Sequence, residues 1–189
     1  RFFMQDIRLE RWAKALVEYS LYIKSGETVA IMATPEALPL VEAIYREVLH
    51  AGAHPLSMLN AESLDEILLR EGNDAQLTWA SPLQNVVAEK IDARLSILSS
   101  SNTKALSNVD PARAALRRQA SRGAWQQVHQ REQEGKFRWS LTLYPTVAYA
   151  QDSNMSLHEF EEFVFDVCFL NDPDPVARWR ELSLQQQRF

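Results

Sequence analysis

The side chains of this sequence that could do chemistry are few, and the densest group lies near the C-terminal end. His158 and Glu161 are three residues apart, and Glu162 and Asp166 follow in the same stretch. Residues three and four apart share a face of a helix, so two or three of these side chains could begin a metal site. The same spacing is typical of a solvated acidic face opposite an apolar stripe. Both interpretations stay open from the sequence.

The remaining reactive residues do not form a recognisable catalytic group. His50 and His54 are four residues apart, but Gly52 favours a helix end between them, so the two need not share a face. Cys168 is the single cysteine and stands among apolar residues, which keep a thiol protonated. The Ser99–Ser101 run lacks a His–acid pair, and the sequence has no G-x-S-x-G elbow and no glycine-rich phosphate loop. We therefore expect no complete catalytic site in this chain.

A second kind of candidate site follows from where polar residues stand relative to predicted strands. In open parallel sheets, ligands bind beyond the carboxyl ends of the strands. The polar residues at these ends form a candidate ligand or substrate-access crevice: Asn60, Ser101, Asn102, Thr103, Tyr144 and Thr146. The alternative is that these residues serve only as turns and helix N-caps.

The elements that must position these residues are predicted from four short apolar runs. The runs are Thr28–Ala33, Pro55–Leu59, Ala93–Leu98 and Phe137–Leu143. The segments between them have helical periodicity, and an opening helix is predicted over Ile7–Lys24. Strands that alternate with helices predict an α/β fold, with a mainly parallel sheet of four or more strands and helices on both faces. Such a fold is Rossmann- or flavodoxin-like, and the strand order stays open.

Glycine and proline mark the ends of the predicted helices. Gly26, Gly52 and Gly135 each follow a helical stretch and are expected to end it in the left-handed conformation. Helix starts are predicted where a side-chain acceptor precedes proline, at Thr34-Pro35, Ser81-Pro82, Asp110-Pro111 and Asp172-Pro173. Capping boxes are predicted at Ser63…Glu66 and Ser156…Glu159.

The pattern changes after Pro145, where two helices follow with no strand between them. These helices are predicted over Ser156–Leu170 and Pro173–Gln187. We therefore divide the chain into an α/β domain over residues 4–150 and a helical extension over residues 151–189.

The composition excludes several classes of protein. The chain has 189 residues, 46% hydrophobic and 24% charged, which is ordinary for a globular protein. Its net charge of −5, with scattered Lys and Arg, argues against a nucleic-acid-binding surface. No apolar run approaches the roughly 20 residues of a membrane span. With one cysteine and no disulfide, we expect a cytoplasmic protein.

Several unusual strings, taken in order, resemble a known family. They are Arg8–Lys14, Tyr45–Pro55, Asn102–Pro111, Leu141–Thr146, Ala148–Gln151, Met155–Leu157 and Asp172-Pro173. In this order and spacing they resemble the N-terminal half of the thermophilic-type metallo-aminopeptidases, the family of aminopeptidase T and aminopeptidase S (aminopeptidase II). The resemblance runs from about Met4 to the C-terminus.

The resemblance implies an enzyme of two domains that removes N-terminal amino acids from peptides. In that family, two divalent metal ions, zinc or cobalt, and the catalytic residues lie in the C-terminal domain. None of the matched strings carries those residues, so no metal ligand or catalytic residue is assigned here. The resemblance also implies a homodimer. This chain would then supply scaffold, dimer surface and control of substrate access, with the missing catalytic domain as its partner.

The residues alone leave two alternatives to this reading. The chain could be a stand-alone α/β module that binds a small molecule in the candidate crevice. It could also be a protein-interaction module that uses the apolar face of Phe160, Phe163, Val164 and Val167.

Overall fold

The computed structural model describes residues 6–187. The predicted domain limits at residues 4 and 189 lie outside the described residues. The strands are β1 (Thr28–Ala33), β2 (His54–Leu59), β3 (Ala93–Leu98) and β4 (Arg138–Leu143). Each agrees with a predicted apolar run to within one residue.

Helices connect and flank these strands. They are α1 (Ile7–Lys14), α2 (Leu38–His50), α3 (Glu62–Glu71), α4 (Asp74–Leu77), α5 (Pro82–Lys90), α6 (Pro111–Ala120), α7 (Arg122–Gln133), α8 (Val147–Asp152), α9 (Leu157–Val167) and α10 (Pro175–Gln186). The predicted opening helix is shorter than expected, because α1 passes into a π-helical segment over Ala15–Ser20 and the helix ends before Tyr22. A 3₁₀ turn over Pro35–Ala37 precedes α2.

The four strands form one parallel sheet in the order β2-β1-β3-β4. The predicted fold class is therefore confirmed. This order follows the flavodoxin-like arrangement 2-1-3-4 rather than the Rossmann order, in which the third strand lies beyond the second. The chain leaves β1 towards one edge and returns to place β3 on its other side. The strand order thus reverses between β1 and β3.

Both faces of the sheet are covered by helices. The first face packs Val29, Ile31 and Leu95 against side chains of α1, α2 and α9. The second face is covered by a smaller apolar cluster of Ala30, Ala88, Ile91, Val128 and Phe137, which α5 and α7 help to form. Right-handed crossovers explain this division. The connection from β1 to β2 runs in the opposite direction across the sheet from the connections to β3 and β4, so its helix lies on the opposite face.

The three predicted helix-ending glycines have the expected conformation. Gly26, Gly52 and Gly135 have φ of 84°, 74° and 69°. A side chain at Gly52 would also meet Ser25 Oγ at 2.8 Å, so this position is restricted both by conformation and by space.

Some of the predicted helix caps are present and others are not. The Ser156…Glu159 capping box and the Asp110 cap are present. The box at Ser63 is wrong, because α3 begins one residue earlier, at Glu62, with Ala61 as its N-cap. The cap at Asp172 is also wrong: Asp174 accepts from the Ala177 amide and begins α10. Two successive Asp-Pro pairs made this position ambiguous in the sequence.

Of the helices after β4, α9 packs on the first face of the sheet, whereas α10 contacts α1 and the π-helical segment. Phe160, Val164 and Phe165 of α9 belong to its core. Phe163 and Val167, predicted on the same apolar face, are about half exposed, at 49% and 50%. Within the described residues, no helix combines the length and the apolar character needed to cross a membrane.

Candidate functional site

The sequence-predicted crevice residues lie where the parallel strands end. The amide of Asn60 donates to the Ala33 carbonyl (2.9 Å), and the amide of Tyr144 donates to the Leu98 carbonyl (2.8 Å). These bonds continue the ladder one residue beyond the strands. The segments that carry the predicted residues therefore leave the sheet side by side.

The ends of β1 and β3, where the strand order reverses, are tied directly together. The Thr34 hydroxyl donates to the Ser99 carbonyl (2.5 Å), and the Thr34 amide donates to Ser99 Oγ (3.1 Å). Ser99 is buried. Thr34 was expected to cap the following helix, but its side chain makes no capping bond and serves the junction with β3 instead.

The loop that follows β3 is fastened to the start of α8. Thr146 Oγ1 donates to the Ser100 carbonyl (2.7 Å), and the Ser100 amide donates to the Tyr149 hydroxyl (3.3 Å). Thr146 also accepts a bond from the Tyr149 amide as the N-cap of α8. Thr146 is buried, so its hydroxyl works inside this junction.

The first turn of α3 closes the other side of the crevice. Ser101 donates from its amide and its hydroxyl to Glu62 Oε2, at 3.0 and 3.3 Å. Asn60 Nδ2 donates to Asp65 Oδ2 (2.6 Å). Glu62 and Asp65 were not among the residues predicted from the sequence, although they follow directly after a predicted strand.

The other three predicted residues also have partners. Asn102 Oδ1 accepts from the Lys104 amide (3.0 Å). The pKa of Asp152 is lowered, first by a hydrogen bond from the Thr103 side chain and then by Lys104, whose Nζ lies 3.4 Å from the carboxylate. Burial raises the pKa of Tyr144, whose ring stacks on Trp12 at 6.4 Å. Tyr144 therefore keeps its proton at neutral pH.

The six predicted residues thus lie at the carboxyl ends of the strands, in a network of hydroxyls, amides and carboxylates. The network ties Asn60 and Ser101 to α3 and Thr146 to the loop after β3. The bonds described above involve three carboxylates, on Glu62, Asp65 and Asp152, and one ammonium group, on Lys104, so the network carries a net negative charge. The network can therefore attract cationic groups. Its use as a crevice for ligand or substrate stays a prediction.

The candidate metal-ligating residues do not converge. Glu162 accepts a bond from Arg8 (2.6 Å), and Asp166 accepts one from Asn171 (2.6 Å). His50 lies beside Glu47 (3.6 Å). Among residues 6–187, no three His, Cys, Asp or Glu side chains are placed to hold a metal ion. The residues present in this part of the chain therefore do not fit a metal centre.

Cys168 follows α9 and packs against the core of the first face. Burial raises the pKa of its thiol, so the side chain is protonated at neutral pH. This agrees with the expected structural role of the cysteine.

Arg94, which was not among the residues predicted from the sequence, lies away from the crevice. Arg94 is the second residue of β3, inside an apolar run. Its Nε is buried and has no hydrogen-bond partner among residues 6–187. An arginine within a run predicted as a buried strand was the signal for it.

The chain is similar to metallopeptidases over nearly its whole length. The model of the family described as thermophilic metalloprotease (M29) matches residues 5–189. Aminopeptidase 2 of Geobacillus stearothermophilus is 29% identical over 184 residues, which cover 92% of this chain and 44% of that protein.

A solved structure has the same fold. Wild-type AmpT from Thermus thermophilus superposes with a TM-score of 0.75 at 20% identity, over 92% of this chain and 45% of that one. The chain therefore spans less than half the length of these two proteins.

Proposed function

Because the chain belongs to the thermophilic metalloprotease family (M29), we propose that it is the N-terminal, non-catalytic domain of a metal-dependent aminopeptidase. The whole enzyme would remove N-terminal amino acids from peptides. The observation that carries this proposal is the family match over residues 5–189, combined with coverage of 44% of a relative named as an aminopeptidase.

The catalytic metals belong, in this proposal, to the remainder of the enzyme. Two divalent ions, zinc or cobalt, would supply an activated water for hydrolysis. Such a centre needs carboxylates and imidazoles that converge on one point. Among the described residues no three such side chains converge; Glu162 accepts from Arg8 and Asp166 accepts from Asn171 instead.

The domain's own contribution would be scaffold, dimer surface and control of substrate access. Support for a docking role comes from apolar side chains that the helices leave half exposed, such as Trp139 at 49% and Leu141 at 51% on the edge strand β4. Support for an access role comes from the carboxylates of Glu62 and Asp65, because a peptide substrate of an aminopeptidase carries a free ammonium group. We place the enzyme in the cytoplasm.

Hydrolysis of an aminoacyl-anilide tests whether catalysis requires the metal-binding half of the enzyme. The 189-residue chain and a longer protein that carries the metal-binding half are compared with added zinc or cobalt. We expect metal-dependent turnover by the longer protein and none by the chain alone. Metal-dependent turnover by the purified chain would overturn the proposal, and so would an inactive but folded longer protein.

The access role is tested in the longer protein with Glu62→Gln, which keeps the size of the side chain and its acceptor oxygen. We expect a higher KM for peptides with a free N-terminus and an unchanged kcat. Glu181→Gln on α10, remote from the sheet edge, is the matched control. Equal KM values for the two variants would contradict a role of this edge in substrate access.

A further inference from the structure

Among residues 6–187 no carboxylate forms a direct ion pair with the guanidinium of Arg94, although the charge of Glu132 acts on it. Two aromatic rings lie beside it: the centre of the guanidinium lies 4.8 Å from the centroid of the Trp125 ring and 5.9 Å from that of the Phe137 ring. Its Nε is buried without a hydrogen-bond partner among the described residues. Burial lowers the pKa of Arg94, and the charge of Glu132 opposes that effect. Arginine nonetheless stays protonated, so the cation persists.

A cleft opens on this cation. It has a volume of about 280 Å³ and lies on the second face of the sheet, between α7 and the strands β3 and β4. Its walls are Arg94, Ser96, Trp125, Val128, His129, Glu132, Trp139 and Leu141. A smaller apolar cleft of about 130 Å³ adjoins Arg94 on the side of α5. The smaller cleft also reaches Met32 and Met58, near the carboxyl ends of β1 and β2.

The walls restrict which anion could pair with Arg94. A guanidinium presents a planar fork of N–H donors that matches a carboxylate. The two Trp rings, Val128 and Leu141 favour a ligand with a flat or apolar body. Glu132 would repel a dianion such as phosphate. Its carboxylate is held by Trp139 Nε1 (2.9 Å) and lies 3.4 Å from His129 Nδ1.

We propose that this cleft binds a monocarboxylate attached to an aromatic group, with Arg94 pairing the carboxylate and Trp125 and Trp139 flanking the ring. An aromatic amino acid has this chemistry, whether free or at the C-terminus of a peptide. A carboxylate in the cleft would meet a guanidinium that forms part of its wall, and such a charge-assisted pair is stronger than a neutral hydrogen bond. The inference does not rest on the proposed function, and it requires that Trp139 and Leu141 stay accessible to a ligand instead of being covered by a second domain.

Three related compounds test the site on the 189-residue chain by calorimetry and tryptophan fluorescence. L-phenylalanine and N-acetyl-L-phenylalanine carry the carboxylate, whereas L-phenylalaninamide lacks it. We expect saturable binding of at least one carboxylate, with a Kd on the order of millimolar, and none of the amide. Preference for the free or the acetylated form distinguishes a free amino acid from a peptide C-terminus. Equal binding of the amide, or saturation by neither carboxylate, overturns the proposal.

Substitutions at the cation complete the test. Arg94→Met removes the charge but keeps the apolar stem, and we expect it to weaken binding at least about tenfold. Arg94→Lys keeps a positive charge without the planar fork of donors. Its affinity should lie between those of the unmodified chain and Arg94→Met. Arg180→Met, at an exposed position on α10, is the matched control and should bind as the unmodified chain does. Circular dichroism shows that each variant is folded. Unchanged affinity in a folded Arg94→Met variant contradicts the assignment.

Discussion

At the scale of single residues, the start of α1 is stabilised by a carboxylate with two roles. Asp6 caps the helix by accepting from the Arg8 amide and pairs with the Arg8 guanidinium at 2.7 Å. The Arg8 side chain lowers the pKa of Asp6 below its ordinary value. Asp6→Asn keeps a capping acceptor but removes the charge. It should therefore lower the free energy of unfolding at neutral pH.

This difference must disappear in acid. A folded-state pKa below the unfolded one contributes stability that is present above the unfolded pKa, about 3.9 for Asp, and is lost as pH falls through the folded pKa. Urea unfolding of both proteins from pH 7 down to pH 3 should show the curves converging below about pH 4. A gap that persists unchanged to pH 3 would show that the charge of Asp6 is not responsible.

The thiol of Cys168 offers a second residue-scale prediction. Because burial raises its pKa, the thiolate fraction at pH 8 is smaller than for an ordinary cysteine. Alkylation by iodoacetamide at pH 8 should be at least roughly tenfold slower in the folded chain than in urea. The folded rate should increase as pH is raised above 8. Equal rates in the two states would show an accessible thiol.

For single residues, the sequence predicted the positions of polar side chains after the strands but not the partners of those side chains. The polar positions after the strands were readable, because turn chemistry places Ser, Thr and Asn there. Their partners were not: Thr34 was expected to cap a helix, yet it bonds Ser99, 65 residues away. Likewise Arg94 is distinctive only because Trp125 and Phe137 come from other elements. Contacts between distant segments depend on packing that no local pattern encodes.

At the scale of elements, the start of α9 is specified by a complete capping box. Ser156 accepts from the Glu159 amide (3.2 Å), and Glu159 accepts in return from the Ser156 amide (2.8 Å). Ser156→Ala removes one half of this exchange and should lower the free energy of unfolding by about 1 kcal/mol in urea. Ser156→Asn restores a capping oxygen and should recover most of that loss. A fully stable Ser156→Ala would contradict a capping role.

Elements were predicted best where two independent signals coincide. β1 and β3 agree with the predicted runs because apolar residues are bounded by turn signals on both sides. The opening helix was predicted to continue to Lys24 because its apolar period continues. The structure ends it earlier, since the chain passes through a π-helical turn and Tyr22 takes a positive φ of 48°. Apolar periodicity alone did not separate a continuing α-helix from this wider π-helical turn.

At the scale of the whole molecule, the sheet is asymmetric, and this links the fold to the proposed function. The first face carries the larger core, and helices from both ends of the chain pack on it. The second face is thinner, and its outer strand leaves Trp139 and Leu141 half exposed. One face therefore stabilises the domain, while the other has apolar area for a ligand or a partner domain.

Truncating one leucine on each kind of surface tests this asymmetry. Leu95 on β3 is fully buried in the core of the first face, whereas Leu141 on β4 is 51% exposed on the second. Leu95→Ala should lower the free energy of unfolding by about 2–5 kcal/mol, through lost burial and a residual cavity. Leu141→Ala should cost under about 1 kcal/mol, because much of its surface is already in water. Urea unfolding of both variants, with light scattering to confirm an unchanged oligomeric state, makes the comparison. Similar losses for the two leucines would mean that the edge of β4 is covered in solution, by a second copy of the chain or by another part of the enzyme.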